Sequence, residues 1–244
     1  MSHQGHLLDA GAGRRSRRTS SPQALPNAER PRPATLTASE PDEAIIVVTG
    51  LPRSGTSLMM QMLGAAGIAL LTDGKRDADE DNPRGYFELE AVKSLGRDAS
   101  WLASARGRAV KIIAPLVSHL PADHRYAVIW LERPLDEVLA SQATMLERAG
   151  REPGADAAAL RRALPRQLEA ARFELDRRGL PILDVSHGDA IAQPRQVAEQ
   201  VCSFLGGGLD IEAAARSVDP QLYRQRAALL GRRPRRGAPV IGEP

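Results

Sequence analysis

Three polar clusters in the chain could carry chemistry. The first is "TGLPRSGTSL", residues 49 to 58. Gly50 and Gly55 have the spacing of a phosphate-binding loop, G-x-x-x-x-G-K-[ST], whose backbone N–H groups cradle phosphates while its Lys reaches the terminal ones. Ser57 stands where such a loop keeps its hydroxyl, but Thr56 replaces the Lys, and the cation sits inside the loop at Arg53. A magnesium–triphosphate is handled by that Lys and hydroxyl together, so the relocated charge suits a shorter anion. The second cluster is "LERPLDEVLASQ", with Arg133 and, eight residues later, Ser141. The third is "ADEDNPRGYFELEAV", an acidic turn with Glu88 after Asn82-Pro83-Arg84-Gly85, together with Lys111 in the apolar run "AVKII". A carboxylate near a phosphate cradle can serve as a general base. A Lys within an apolar strand is expected to send its amine to a polar site at the strand end, either assisting a leaving phosphate or pairing with a carboxylate.

These groups need elements to position them. "AIIVV" (44–48) reads as a strand buried on both faces, followed by the loop and a helix over "TSLMMQMLGAAG". "AVKII" (109–113), "YAVIWLE" (126–132) and "PILDVS" (181–186) are further strands. "PLDEVLASQATMLERAG" (134–150) reads as a helix with Pro at its first position and acids in its first turn. Residues 155–178 form a long charged helical stretch, expected to break or kink at Pro165, and 194–206 a helix ending at Gly206. Alternating strands and helices predict an α/β domain, a central parallel sheet flanked by helices in three layers. It is expected over residues 43–230, between a disordered Arg/Pro/Ser-rich arm (1–42) and a loose C-terminal tail (231–244).

Composition sets outer bounds. The chain has 244 residues, 42% hydrophobic and 26% charged, with a net charge of +3. Aromatics are 3%, so the core must be aliphatic. Arg outnumbers Lys, which suits phosphate and sulfate and equally follows from GC-rich coding. Cys202 is the only cysteine, so no intrachain disulfide forms and a cytoplasmic setting is expected. No apolar run reaches the ~20 residues of a membrane span, and no recognition helix or stacking platform suggests nucleic acid.

"LPRSGTSL" resembles the 5'-phosphosulfate loop of sulfotransferases that use 3'-phosphoadenosine-5'-phosphosulfate (PAPS), which commonly reads Pro-Lys/Arg-Ser-Gly-Thr/Ser-Thr/Ser. The Arg133–Ser141 pair resembles that family's 3'-phosphate motif. The resemblance covers about residues 44–230 and is to the bacterial branch. It implies a P-loop-like fold, in-line sulfuryl transfer to a hydroxyl or amine, 3',5'-ADP as product and no required metal. It implies that Pro52, Arg53, Ser54, Gly55, Thr56 and Ser57 hold the 5' end, and that Arg133 and Ser141 hold the 3'-phosphate in a separate pocket. It also implies that Arg53, Glu88 and Lys111 act in catalysis. Some family members use a His two residues after a Lys as base, but Ile113 occupies that position here. His119 is then the alternative to Glu88, whose own plain reading is an acid at a helix start. Arg84 is expected to contact the acceptor or fix Glu88, and Tyr86, Phe87 and Trp101 to line an acceptor pocket or pack in the core. Arg224 and Arg226 would close over the nucleotide, and His124 and His187 would be structural or exposed. The acceptor stays open among small molecules, lipids and carbohydrates, as does the oligomeric state. A P-loop kinase or NTPase, and an inactive nucleotide-binding relative, are the other readings.

Overall fold

The computed structural model describes residues 43–150 and 157–223. The N-terminal arm, Arg224, Arg226 and the C-terminal tail lie outside the described residues. Five strands form one wholly parallel sheet: β1 (Ile45–Gly50), β2 (Ala69–Leu70), β3 (Arg108–Lys111), β4 (Tyr126–Glu132) and β5 (Ile182–Ser186), in the order β2-β3-β1-β4-β5. Among the described residues six α-helices accompany them: α1 (Thr56–Ala65), α2 (Leu135–Arg148), α3 (Ala157–Arg177), α4 (His187–Ala192), α5 (Pro194–Phe204) and α6 (Ile211–Arg216). Among the described residues no helix is long and apolar enough to cross a membrane.

All six residues of β1 are buried, as a central parallel strand covered by helices requires. Ile46 and Val48 face Met59, Met60 and Leu63 of α1 and Val201 of α5. Ile45 and Val47 face the opposite layer, with Leu102, Val117 and Leu175. A third, smaller cluster joins Leu51 at the base of the loop to Val138 of α2 and Leu164 of α3. It fixes the loop's position relative to both helices. The chain leaves β1 toward β2 and β3 on one side and reaches β4 and β5 on the other. Ligands of open parallel sheets bind beyond the strand carboxyl ends at such a reversal. Gly50, Lys111, Arg133 and His187 all stand at or just after those ends.

Element boundaries differ from the sequence reading by a residue or two, and Pro134 is the N-cap of α2 rather than its first residue. The expected break at Pro165 is absent, and α3 is a single helix of 21 residues. Leu164, Leu168, Ala171 and Leu175 line one face of α3 and pack on two of the core clusters. That continuous apolar stripe holds both halves of the helix against the sheet despite the missing N–H of Pro165. Strand β2, helices α4 and α6, and the short 3₁₀ turns Ser100–Ala105 and Pro220–Leu222 were not anticipated, because two to six residues are too few to show a period.

Pro165→Ala restores one backbone hydrogen bond without touching the packed stripe. It is expected to raise stability to urea by about 1–3 kcal/mol, measured as a higher unfolding midpoint at unchanged slope.

Candidate active site at the strand carboxyl ends

The loop after β1 is shaped by its glycines. Gly50 has φ 150°, and a Cβ there would lie 2.5 Å from Ser54 Oγ and 2.7 Å from the Leu131 carbonyl. Gly55 has φ 102°, with His187 Cδ2 only 2.4 Å from where a Cβ would stand. Arg53 is itself left-handed at φ 72°, a conformation that costs a non-glycine roughly 1–2 kcal/mol. The Ser54 amide donates to the Leu51 carbonyl at 3.1 Å and closes the turn. Pro52, Arg53, Gly55, Thr56 and Ser57 form part of the wall of a cavity of about 420 Å³. Ser54 is not in that wall: its hydroxyl is buried inside the turn beside Gly50, without a hydrogen-bond partner. The expectation that the Ser54 side chain holds an anion is therefore corrected. Helix α1 begins at Thr56 and points its positive end, with unsatisfied backbone N–H groups, at the cavity.

The second cluster meets the first directly. Arg53 Nε donates to Ser141 Oγ at 2.9 Å, and Arg133 Nη1 donates to the Arg53 carbonyl at 2.9 Å. Arg133 Nε also donates to Glu137 Oε2 at 3.0 Å, with both side chains almost fully buried. Tyr223 OH donates to the same carboxylate oxygen at 2.7 Å. The two expected grips are thus not separate pockets. The left-handed backbone at Arg53 offers its carbonyl to Arg133, and its side chain crosses to α2. On α2, Ser141, Thr144 and Arg148 all line the cavity, spaced as one helix face requires.

The third cluster closes the other end. Lys111 Nζ lies 3.4 Å from Glu88 Oε1 and 3.4 Å from Ser57 Oγ, and also donates to the Tyr86 carbonyl. Ser57 Oγ donates to that carbonyl too, at 3.2 Å. Burial holds the Lys111 amine below its usual pKa, and the Glu88 charge opposes that shift. Of the two expectations for Lys111, pairing with a carboxylate is the one observed. Arg76 Nη1 stands 3.3 Å from the same Glu88 oxygen, and its guanidinium covers the Tyr86 ring at 3.3 Å. Tyr86 OH donates to Asp79 at 2.7 Å. Burial and that hydrogen bond push the phenol up to about 12. Left-handed Phe87, at φ 51°, separates Tyr86 from Glu88 and packs its own ring into the core on the α1 side of the sheet.

Several expectations change here. Glu88 is not the first residue of a helix, since the short 3₁₀ turn begins at Glu90. Arg84 does not touch Glu88; it donates to the Ser217 carbonyl and pairs with Asp219 at 3.5 Å. His119 is exposed beside Gly96 and does not line the cavity, because its 3₁₀ turn carries it past the strand end. Of the three aromatics, only Tyr86 reaches the cavity wall. The acidic turn is held by internal bonds. Asp79 accepts from the amides of Asp81 and Asn82, and Asp81 pairs with Arg148 at 2.6 Å.

The sequence reading set His187 aside, yet it is buried in the cavity wall. Its ring meets the Tyr223 ring edge-on at 4.9 Å, and its Nδ1 has no hydrogen-bond partner. Burial, with the Arg133 charge adding to it, lowers its pKa to about 3. One signal could have found it: His187 directly follows the strand run "PILDVS", and positions just past a parallel strand's end face the ligand crevice.

No protein-family model matches the chain, and no curated protein does. Solved structures similar to the chain include two sulfotransferase domains. One is the sulfotransferase domain from the Synechococcus PCC 7002 olefin synthase, 18% identical over 80% of this chain and 84% of that one, with a TM-score of 0.47. The other is the sulfotransferase domain from the curacin biosynthetic pathway, 14% identical over 78% of this chain and 90% of that one, with a TM-score of 0.39.

Two outcomes follow from the buried charges. Arg133→Ala removes the cation paired with the buried Glu137 carboxylate and is expected to cost about 3–5 kcal/mol of stability by urea unfolding. His187 is neutral when folded and titrates near pH 6.5 when unfolded. Between pH 6.5 and about 3 the unfolded chain therefore binds the extra proton, and stability falls as the pH falls. Lowering the pH from 7 to 5 should cost the native protein about 2 kcal/mol more than it costs His187→Gln, read as the difference between their urea midpoints at the two pH values.

Proposed function

We propose that the protein is a sulfotransferase that moves a sulfuryl group from PAPS to a hydroxyl acceptor. One observation carries the reading: Arg53, Arg133 and Ser141, from two motifs far apart in sequence, meet through 2.9 Å hydrogen bonds in the wall of one cavity. The residues present fit such a donor. The cavity volume falls within the usual range for small-molecule sites. Its wall combines the start of α1, which favours an anion, with seven guanidinium or ammonium groups, those of Arg53, Arg76, Arg84, Arg133, Arg148, Lys93 and Lys111.

The 5' end of the donor would be held by Arg53, Gly55, Thr56 and Ser57, and its 3'-phosphate by Arg133 and Ser141. When bound, the donor supplies a sulfuryl group on a phosphate leaving group. The chain's own part is electrostatic and basic. Arg53 keeps its charge at any working pH and stabilises negative charge at the loop. Both cations that hold Glu88 contact Oε1, which leaves Oε2 to take the acceptor's proton. Lys111 ties Glu88 to Ser57, so base and phosphate cradle keep a fixed separation.

Calorimetric titration separates this reading from a triphosphate-dependent one. The protein is expected to bind 3',5'-ADP at least tenfold more tightly than 5'-AMP or ADP. Ser141→Ala should weaken 3',5'-ADP by about 10- to 100-fold, the size of one hydrogen bond to a charged group, and leave 5'-AMP unchanged. Equal affinity for the three nucleotides would overturn the proposal.

A further inference from the structure

The two ends of the cavity differ in chemistry. Toward α2 the wall is mostly polar, with Arg133, Ser141, Thr144 and Arg148 beside Met145. At the Glu88 end it carries an aliphatic patch. Leu89 and Val92 follow Glu88 in the chain, and Ile113 and Leu116 follow Lys111. All four line the cavity. Because Glu88 and Lys111 lie 3.4 Å apart, the two short segments that follow them lie at the same end. Leu89, Val92 and Leu116 also pack together on one core cluster, so this wall rests on the fold and is not a loose rim.

A sugar acceptor would find little to recognise there. Carbohydrate hydroxyls need amide, hydroxyl or carboxylate partners, and a polar group set against aliphatic side chains without a partner is penalised. Polar side chains at this end include Glu88, Lys111, Ser57, Arg76 and Lys93, and apart from the Glu88 Oε2 that takes the acceptor's proton each is already engaged. Lys111 and Arg76 hold Glu88, and Lys93 pairs with Glu90 at 2.8 Å. A sugar ring also stacks on a bare aromatic face. Tyr86 supplies the aromatic ring of this wall, and the Arg76 guanidinium covers it at 3.3 Å.

We infer that the acceptor is an alcohol or phenol with an apolar body, whose hydroxyl meets Glu88 while its hydrocarbon lies against Leu89, Val92, Ile113 and Leu116. This rests on the sulfotransferase reading and narrows it to one class of acceptor. In the transfer the acceptor's O–H bond breaks, with its proton going to Glu88. A new O–S bond forms, the S–O bond to the donor phosphate breaks, and 3',5'-ADP carries away that electron pair. No oxidant or reductant is required.

The test compares 1-octanol and 2-naphthol with methyl β-glucoside as acceptors, at equal concentration with PAPS, using the full chain. Direct binding of 2-naphthol is followed by saturation-transfer NMR, which needs no turnover. The apolar acceptors are expected to exceed the glucoside at least tenfold in kcat/KM, since even one well-placed methylene discriminates by roughly 10-fold or more. Leu116→Asn should raise KM for 2-naphthol at least fivefold and weaken its NMR signal, with 3',5'-ADP affinity unchanged. Ile113→Asn repeats the test at a second position should Leu116→Asn fold poorly. Glucoside sulfation as fast as that of 2-naphthol overturns the inference and leaves the sulfotransferase reading intact, as does 2-naphthol binding that neither variant alters. Failure to bind 3',5'-ADP, with 2-naphthol still bound and lost in Leu116→Asn, overturns the sulfotransferase reading and supports the apolar subsite alone.

Discussion

The hydrogen bond from Arg133 to the backbone carbonyl of Arg53 ties the end of β4 to the loop after β1, and the site's architecture depends on it. The loop carbonyl faces Arg133 because Arg53 is left-handed. That same turn sends the Arg53 side chain across to Ser141 on α2. Glu137, one turn along α2, fixes the Arg133 guanidinium from the other side, and Tyr223 fixes Glu137. A buried ion pair of this kind seldom adds much net stability, but losing one partner is costly. It therefore works as a positional lock, holding two strand ends and a helix in one register. The Leu51–Val138–Leu164 cluster supports the lock from below with apolar contact.

At the opposite end a different balance holds. Lys111 is a buried cation kept in place by one carboxylate, one carbonyl and one hydroxyl. Glu88 is half-exposed, and two cations contact one of its oxygens. Burial weakens the lysine's hold on its proton and the carboxylate strengthens it, so the two groups are electrically interdependent. Ser57 belongs to the loop and also accepts from Lys111. Lys111 therefore links the Glu88 end to the loop. Between them runs a cavity whose α2 side is mostly polar and whose Glu88 end carries an aliphatic patch.

Much of the scaffold was legible because its signals are strong and local. The β-branched run of β1 and the continuous apolar stretch of β4 announce buried parallel strands, and Gly50 and Gly55 announce the turn between β1 and α1. Helix α3 was legible as a long charged helical stretch, but the weight its apolar face carries against Pro165 was not, because propensity alone cannot weigh tertiary packing. His187 escaped because its residue type carries no signal of burial in "DVSHGD"; only its place directly after the strand β5 pointed to the crevice. Arg84 was assigned by its nearness in sequence to Glu88, whereas Arg76, farther away, makes that contact.

By itself the sequence determined the α/β class, the loop with its displaced cation, and the residue types that meet in the cavity. These follow from hydrophobic period, glycine spacing and side-chain chemistry, which are properties of short segments. The tertiary structure decided which residues touch: Arg53 on Ser141, Arg76 over Tyr86, His187 against Gly55, and the Ser54 hydroxyl turned inward. Those outcomes depend on the order in which β3, β4 and β5 flank β1 and on backbone turns such as those at Arg53 and Phe87. No short segment encodes where its neighbours in space will lie.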